Sequence, residues 1–227
     1  MSNIIDVTGV IKNGMWCFDD LYPKLNIVQR TGTAQGFGEY HYTEIEGMHT
    51  QVGTYIETPA HFYGHDKSFL INDIPLENLV NVGCVVLKVP KDVSDTNKKI
   101  AVTKDDLLTC PNIGEIRPGD CIAVYCGWEK HWMNSEVFFS RSPYFTMDAM
   151  QFLISKKPSI MASDTVAWDN FSDPAGFFPD FYAANILMLT PLVNLSEVTK
   201  PRVKITALPL RFDDSSSAPC RAIIIED

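Results

Sequence analysis

Apolar residues come along this chain in short runs rather than in long helical stripes. Residues 82–89 read VGCVVLKV, β-branched and nearly continuous, and 121–125 read CIAVY directly after the turn signal Pro118-Gly119-Asp120. Runs at 159–162, 185–190, 203–212 and 220–225 have the same character. Segments that are apolar on both faces mark central, buried strands. Helical signals are fewer. Thr146 is placed to cap a helix over 147–156, with Asp148 in its first turn and two lysines at its end. Thr103 with Asp106 forms a capping box for a short helix over 104–109, and 75–80 has the makings of another. Strands with interspersed helices predict the α/β or α+β class, built on a central mixed sheet. No linker, internal repeat or low-complexity segment divides the 227 residues, so one domain over 1–227 is expected.

Composition narrows the partners. Hydrophobic residues make up 45% and charged residues 21%, as in a globular chain that fills its own core. Nineteen basic against 28 acidic side chains give a net charge of −9, with no basic stripe of the kind nucleic acid requires. The apolar runs, such as 121–126, 186–189 and 222–225, fall far short of the ~20 residues of a membrane span. The first residues lack the basic and apolar regions of a signal peptide. The six cysteines form no CxxC pair, and Cys84, Cys121 and Cys126 lie in or beside apolar runs, where buried thiols are expected. A cytoplasmic protein with a small-molecule ligand, and neither nucleic acid nor membrane as partner, is the expectation.

The chemistry concentrates in one segment. Three of the five histidines fall within 48–66, MHTQVGTYIETPAHFYGHD, together with Gln, Tyr, Glu and Asp. Gly53 admits backbone shapes other residues resist, and Pro59 pushes Thr58 toward an extended conformation. With 54–58 extended, Tyr55 and Glu57 point to one face. Bends at Gly53 and Pro59 bring Gln51 and His61 to the same spot. That gathers an amide, a phenol, a carboxylate and an imidazole.

The stretch Gln51-Val52-Gly53-Thr54-Tyr55-Ile56-Glu57-Thr58-Pro59-Ala60-His61 resembles the H-x-G-T-H-x-D-x-P-x-H signature of the cyclase family of metal-dependent hydrolases, the kynurenine formamidase and isatin hydrolase type. Gly53, Thr54, Pro59 and His61 coincide with it, and Glu57 matches by type. The similarity continues through Asp6-Val7-Thr8 to Gly14-Met15, Ile74-Pro75-Leu76-Glu77, Arg117-Pro118-Gly119-Asp120 through Gly127-Trp128, Asp164, Leu192-Val193-Asn194-Leu195, and Ala207-Leu208-Pro209-Leu210 with Ala218-Pro219-Cys220-Arg221-Ala222. The resemblance implies a swivelling β/α/β fold, a homodimer or homotetramer, and a divalent metal held by the signature's first His, second His and Asp. Here those three positions are Gln51, Tyr55 and Glu57. A later His and Glu of the family align with Phe178 and Thr190, with Asp180 and Tyr182 close to the first of them.

An all-oxygen set of Gln51, Tyr55 and Glu57 disfavours zinc, which prefers nitrogen and sulfur, and suits Mn²⁺, Mg²⁺ or Ca²⁺ better. Such an ion is expected to bind through Glu57, with Gln51 and water. A metal-free polar pocket is the other possibility. Two functions follow from the resemblance. The first is a hydrolase, or a cyclase or lyase running in reverse, acting on a small amide, lactam or ester. His61, Tyr55 and Glu57 are its catalytic residues, and Trp128 and Asp164 its substrate-binding residues, with Trp132, Phe138 and Phe139 as further pocket candidates. The second is a non-catalytic homologue that binds a small molecule.

Overall fold

The apolar runs become the strands of one mixed sheet. The computed structural model describes residues 2–18, 22–89, 92 and 97–227. In chain order come β1 (Asn3–Asp6), a ribbon of β2 (Asn26–Ala34) and β3 (Gly38–Glu46), and β4 (Tyr55–Glu57). Next are α1 (Ala60–Tyr63), β5 (Val82–Lys88), β6 (Ala101–Val102), α2 (Lys104–Leu108), β7 (Cys121–Tyr125), β8 (Tyr144–Phe145) and α3 (Met147–Ser155). The order ends with β9 (Ile160–Ser163), α4 (Phe178–Ala183), β10 (Leu187–Thr190), β11 (Val203–Pro209) and β12 (Ser217–Glu226). The class is α+β, a single domain around a central mixed sheet, as expected.

Strands β5, β7, β9 and β10 run parallel, whereas β11 joins β5, and β4 joins β10, antiparallel. The long β12 closes the arrangement. One of its edges pairs with β11, and the other pairs with β4 through 217–219 and with β1 through 223–226. The order β12-β11-β5-β7-β9-β10-β4 therefore returns to β12. Alternation of side chains then gives each strand an inner and an outer face. Ile56, Val86, Ala123, Ala162, Leu189 and Ala218 share one core inside the ring. Val85, Leu87, Ile122, Val124, Met161 and Met188 face outward and pack against Leu107 of α2, Met150 and Leu153 of α3 and Phe181 of α4. A third cluster, around Trp16, Trp128, Trp132 and Phe138, fills the side nearest the N-terminal segment.

Several boundaries differ from the sequence expectation for physical reasons. The strand expected over 203–212 stops at Pro209; a proline has no amide to carry the ladder further. Residues 75–80 form only a 3-10 turn at Leu76–Asn78. The capping box of α2 is present: Thr103 N donates to Asp106 Oδ2 at 2.8 Å and Asp106 N donates to Thr103 Oγ1 at 3.3 Å. Thr146 does stand at the N-cap of α3, but its hydroxyl donates to the Val102 carbonyl and to Asp148 instead of accepting from a helix amide.

Candidate active site

The local shape of 49–61 follows from two residues. Gly53 has φ +67°, and a Cβ there would lie 2.7 Å from Ile11 Cγ1, so both the backbone and the space call for glycine. Thr54 fixes the bend, donating to the Pro191 carbonyl at 2.7 Å and accepting from Gly9 N at 2.9 Å. After it, β4 wedges between β10 and β12. Ile56 points into the core of the ring, and Tyr55 and Glu57 point out, opposite Thr190 and Met188 of β10. Pro59 opens α1, which sets His61 four residues beyond Glu57.

Gln51, Tyr55, Glu57 and His61 line one cavity of about 340 Å³, walled by Phe18, Phe62, Trp168, Phe171 and Phe178. Gln51, Tyr55 and Glu57 are buried, whereas the His61 side chain is 38% exposed at the mouth. The polar groups form a chain. Tyr22 Oη donates to Gln51 Oε1 at 2.9 Å, Gln51 Nε2 donates to Glu57 Oε2 at 2.9 Å, and the Tyr182 hydroxyl donates to Glu57 Oε1. His61 Nε2 lies 3.4 Å from Gln51 Nε2 and 3.9 Å from Glu57 Oε2. Burial, and then the nearby Glu57 carboxylate, push both the Tyr55 and Tyr182 phenols well above the usual tyrosine range, so both keep their protons at neutral pH.

Other residues take supporting places. Tyr182 lies one helical turn after Phe178 on α4, and Phe62 and Phe178 both stack on its ring. Asp180 is exposed on the same helix and does not line the cavity. Thr190 receives Trp168 Nε1 at 3.1 Å and so holds a wall of the cavity. His49 stacks on Tyr22 with ring centroids 4.5 Å apart, and burial lowers its pKa. Trp128 and Asp164, expected to bind substrate, are placed elsewhere. Trp128 is fully buried and donates Nε1 to the Phe138 carbonyl at 2.8 Å. Asp164 is spent on backbone amides, accepting from Cys126 N at 2.8 Å, Trp128 N at 2.6 Å and Glu129 N at 3.3 Å. Trp132 and Phe138 pack beside Trp128, and Phe139 touches Phe18 and Phe171 at the cavity wall.

Two partners lie outside 48–66, Tyr22 and Tyr182, the second of them one of the two residues the family resemblance places close to its later His. Tyr22 comes from a distant loop and left no local signal. Tyr182 had one, its spacing of four from Phe178, which places both on one face of a helix.

The donor set does not fit a divalent ion. Tyr55 and Tyr182 are protonated phenols, weak ligands beside a phenolate, the Tyr182 hydrogen is turned to Glu57, and Gln51 turns its amide nitrogen toward Glu57. Both Glu57 oxygens already accept hydrogen bonds. Among the described residues, no group of three or more His, Cys, Asp or Glu side chains is placed to hold a metal. The expected coordination through Glu57 and Gln51 is thus replaced by a direct hydrogen bond between them.

Comparison with known proteins identifies the class. Residues 5–170 match the model of the cyclase family, described as "Putative cyclase", and this chain belongs to that family. Isatin hydrolase of Roseibium aggregatum is 27% identical over 202 residues, which cover 80% of this chain and 73% of that protein. Among solved structures, an isatin hydrolase bound to the product analogue thioisatinate matches with a TM-score of 0.79 at 19% identity, over 99% of this chain and 92% of the other. A potential metal-dependent hydrolase with cyclase activity matches at 0.73 and 20% identity, over 100% of this chain and 99% of the other. These structures establish the fold. Among the described residues, no helix is long and apolar enough to cross a membrane.

Proposed function

We propose that this chain is a hydrolase of small amides, lactams or esters, or catalyses the reverse cyclisation, in the cavity around Gln51, Tyr55, Glu57 and His61. Support comes from one observation: an imidazole, a buried carboxylate and a neutral phenol line a single cavity in a member of the cyclase family. In this proposal His61, half open to solvent, takes a proton from water as the water oxygen bonds to the carbonyl carbon. The Glu57 carboxylate lies 3.9 Å from Nε2, on the side of the ring where the proton arrives. Tyr55 donates a hydrogen bond to the developing oxyanion. As the C–N or C–O bond breaks, His61 returns the proton to the leaving atom. The aromatic walls suit a flat substrate. The chain acts as a homo-oligomer in the cytoplasm.

The test is a panel of small aryl lactams, N-acyl anilines and aryl esters, followed by absorbance. Turnover is expected, and His61→Ala is expected to lower kcat/KM by about 10²–10⁴-fold. Absence of turnover across the panel, with thermal stabilisation by the same compounds, is the outcome for a non-catalytic binder. What favours that second reading is that each oxygen of Glu57 already accepts a hydrogen bond from the protein.

A further inference from the structure

We propose that the Tyr182 hydroxyl stands in for a metal ion at Glu57, so that this site operates without one. The inference deepens the function proposed above and rests on it for the identity of the site. A buried carboxylate needs compensation, and either a cation or hydrogen-bond donors supply it. Here the donors are built in. Tyr182 reaches Glu57 Oε1 from α4, and Gln51 Nε2 reaches Oε2 from the segment before β4.

Neither donor is free to turn away. The Tyr182 ring lies between Phe62, at 5.5 Å and 18°, and Phe178, at 5.9 Å and 17°, so its hydroxyl is aimed by packing. Gln51 is held by Tyr22, which donates to its Oε1. Turning the amide to offer its oxygen to an ion would break the hydrogen bond that Tyr22 donates to that oxygen. It would also strip Glu57 Oε2 of its partner. The exchange from metal to donors involves two positions together, Gln51 and Tyr182, each of which turns a hydrogen toward Glu57 where coordination would need a lone pair. Random decay of a metal site would leave some of these positions apolar or mismatched.

The test uses the full chain with MnCl₂ and ZnCl₂ added separately. An ion present at about a hundred times its dissociation constant raises the melting temperature by several degrees. No rise is expected with either ion, and elemental analysis of the purified protein should find far less than one ion per chain. About one ion per chain that is lost in Glu57→Gln, or a rise of several degrees, overturns the inference. The converse arm installs ligands and removes the blocking donor. Gln51→His, Tyr55→His and Tyr182→Phe combined should bind Zn²⁺ at least about tenfold tighter than the wild type in competition with a chromogenic chelator. A folded variant with no gain overturns the inference. If that combination does not fold, Tyr182→Phe decides, since it keeps the ring in its stack. It should bind Mn²⁺ about tenfold tighter than the wild type, and no gain counts against the inference. Turnover of a lactam or ester by protein holding one ion per chain overturns this inference alone. Ion-free protein that turns over nothing overturns the proposed hydrolysis alone.

Discussion

Gln51 accepts from Tyr22 at its oxygen and donates to Glu57 from its nitrogen at 2.9 Å, with His61 Nε2 3.4 Å from the same nitrogen. That accounting fixes which way the amide points, because the reverse orientation would set an oxygen against a carboxylate. The geometry depends on the bend just after Gln51. Gly53→Ala places a side chain at φ +67° and 2.7 Å from Ile11 Cγ1. We expect a loss of about 1–3 kcal/mol in urea unfolding, with the strands retained by circular dichroism. An unchanged midpoint would mean that the bend relaxes freely. Gln51, Tyr55, Glu57 and His61 were legible in the sequence because all lie within eleven residues, bracketed by a glycine and a proline that dictate the turns. Tyr22 reaches Gln51 only through tertiary packing, with no local pattern to pair it with the motif, whereas Tyr182 was legible only through the family resemblance, which places it close to the later His.

Among the elements, β5 and β7 were readable because both faces are covered and their sequences are apolar throughout. The β2–β3 ribbon was not, since both of its faces are largely exposed and carry mixed polar and aromatic residues. Helix α4, with six residues and a proline in its first turn, is too short to show a period. The link between β7 and β9 was visible only as an isolated Asp164, whose role is to tie the turn after β7 to the end of β9. Burial pushes the Asp164 carboxyl up to about 7, against the pull of the three amides it accepts from. The folded chain therefore holds a proton that the unfolded chain releases near 3.8. The stability this contributes is complete below the unfolded value and is lost as pH rises through about 7. Denaturant midpoints should fall from about pH 4 to about pH 7 and level off above it, with a slope of at most about 1.4 kcal/mol per pH unit from this group. Asp164→Asn should remove that part of the slope. Equal slopes in the two proteins would show that the amides keep the carboxylate charged.

At the scale of the molecule, the ribbon stands apart from the closed sheet, pairing only β2 with β3, and it leaves Phe37, Tyr40, Tyr42 and Ile45 exposed. A two-stranded ribbon with apolar residues in water is marginal by itself. A second copy of the chain covering it is the expected arrangement. Light scattering should then give a multiple of 25.5 kDa, and Tyr40→Lys with Tyr42→Lys should shift the mass toward a single chain. A wild-type mass of 25.5 kDa at every concentration would assign the ribbon another task. The way the sheet closes has a different consequence. Tyr55 and Glu57 sit on a strand whose second neighbour is residues 217–219 of β12. On a ribosome the motif emerges well before its flanking strand, which follows more than 150 residues behind it. A nascent chain thus carries every residue of Gln51–His61 long before it carries a formed cavity, and no chemistry at that cavity can begin until synthesis has passed the ring's final seam.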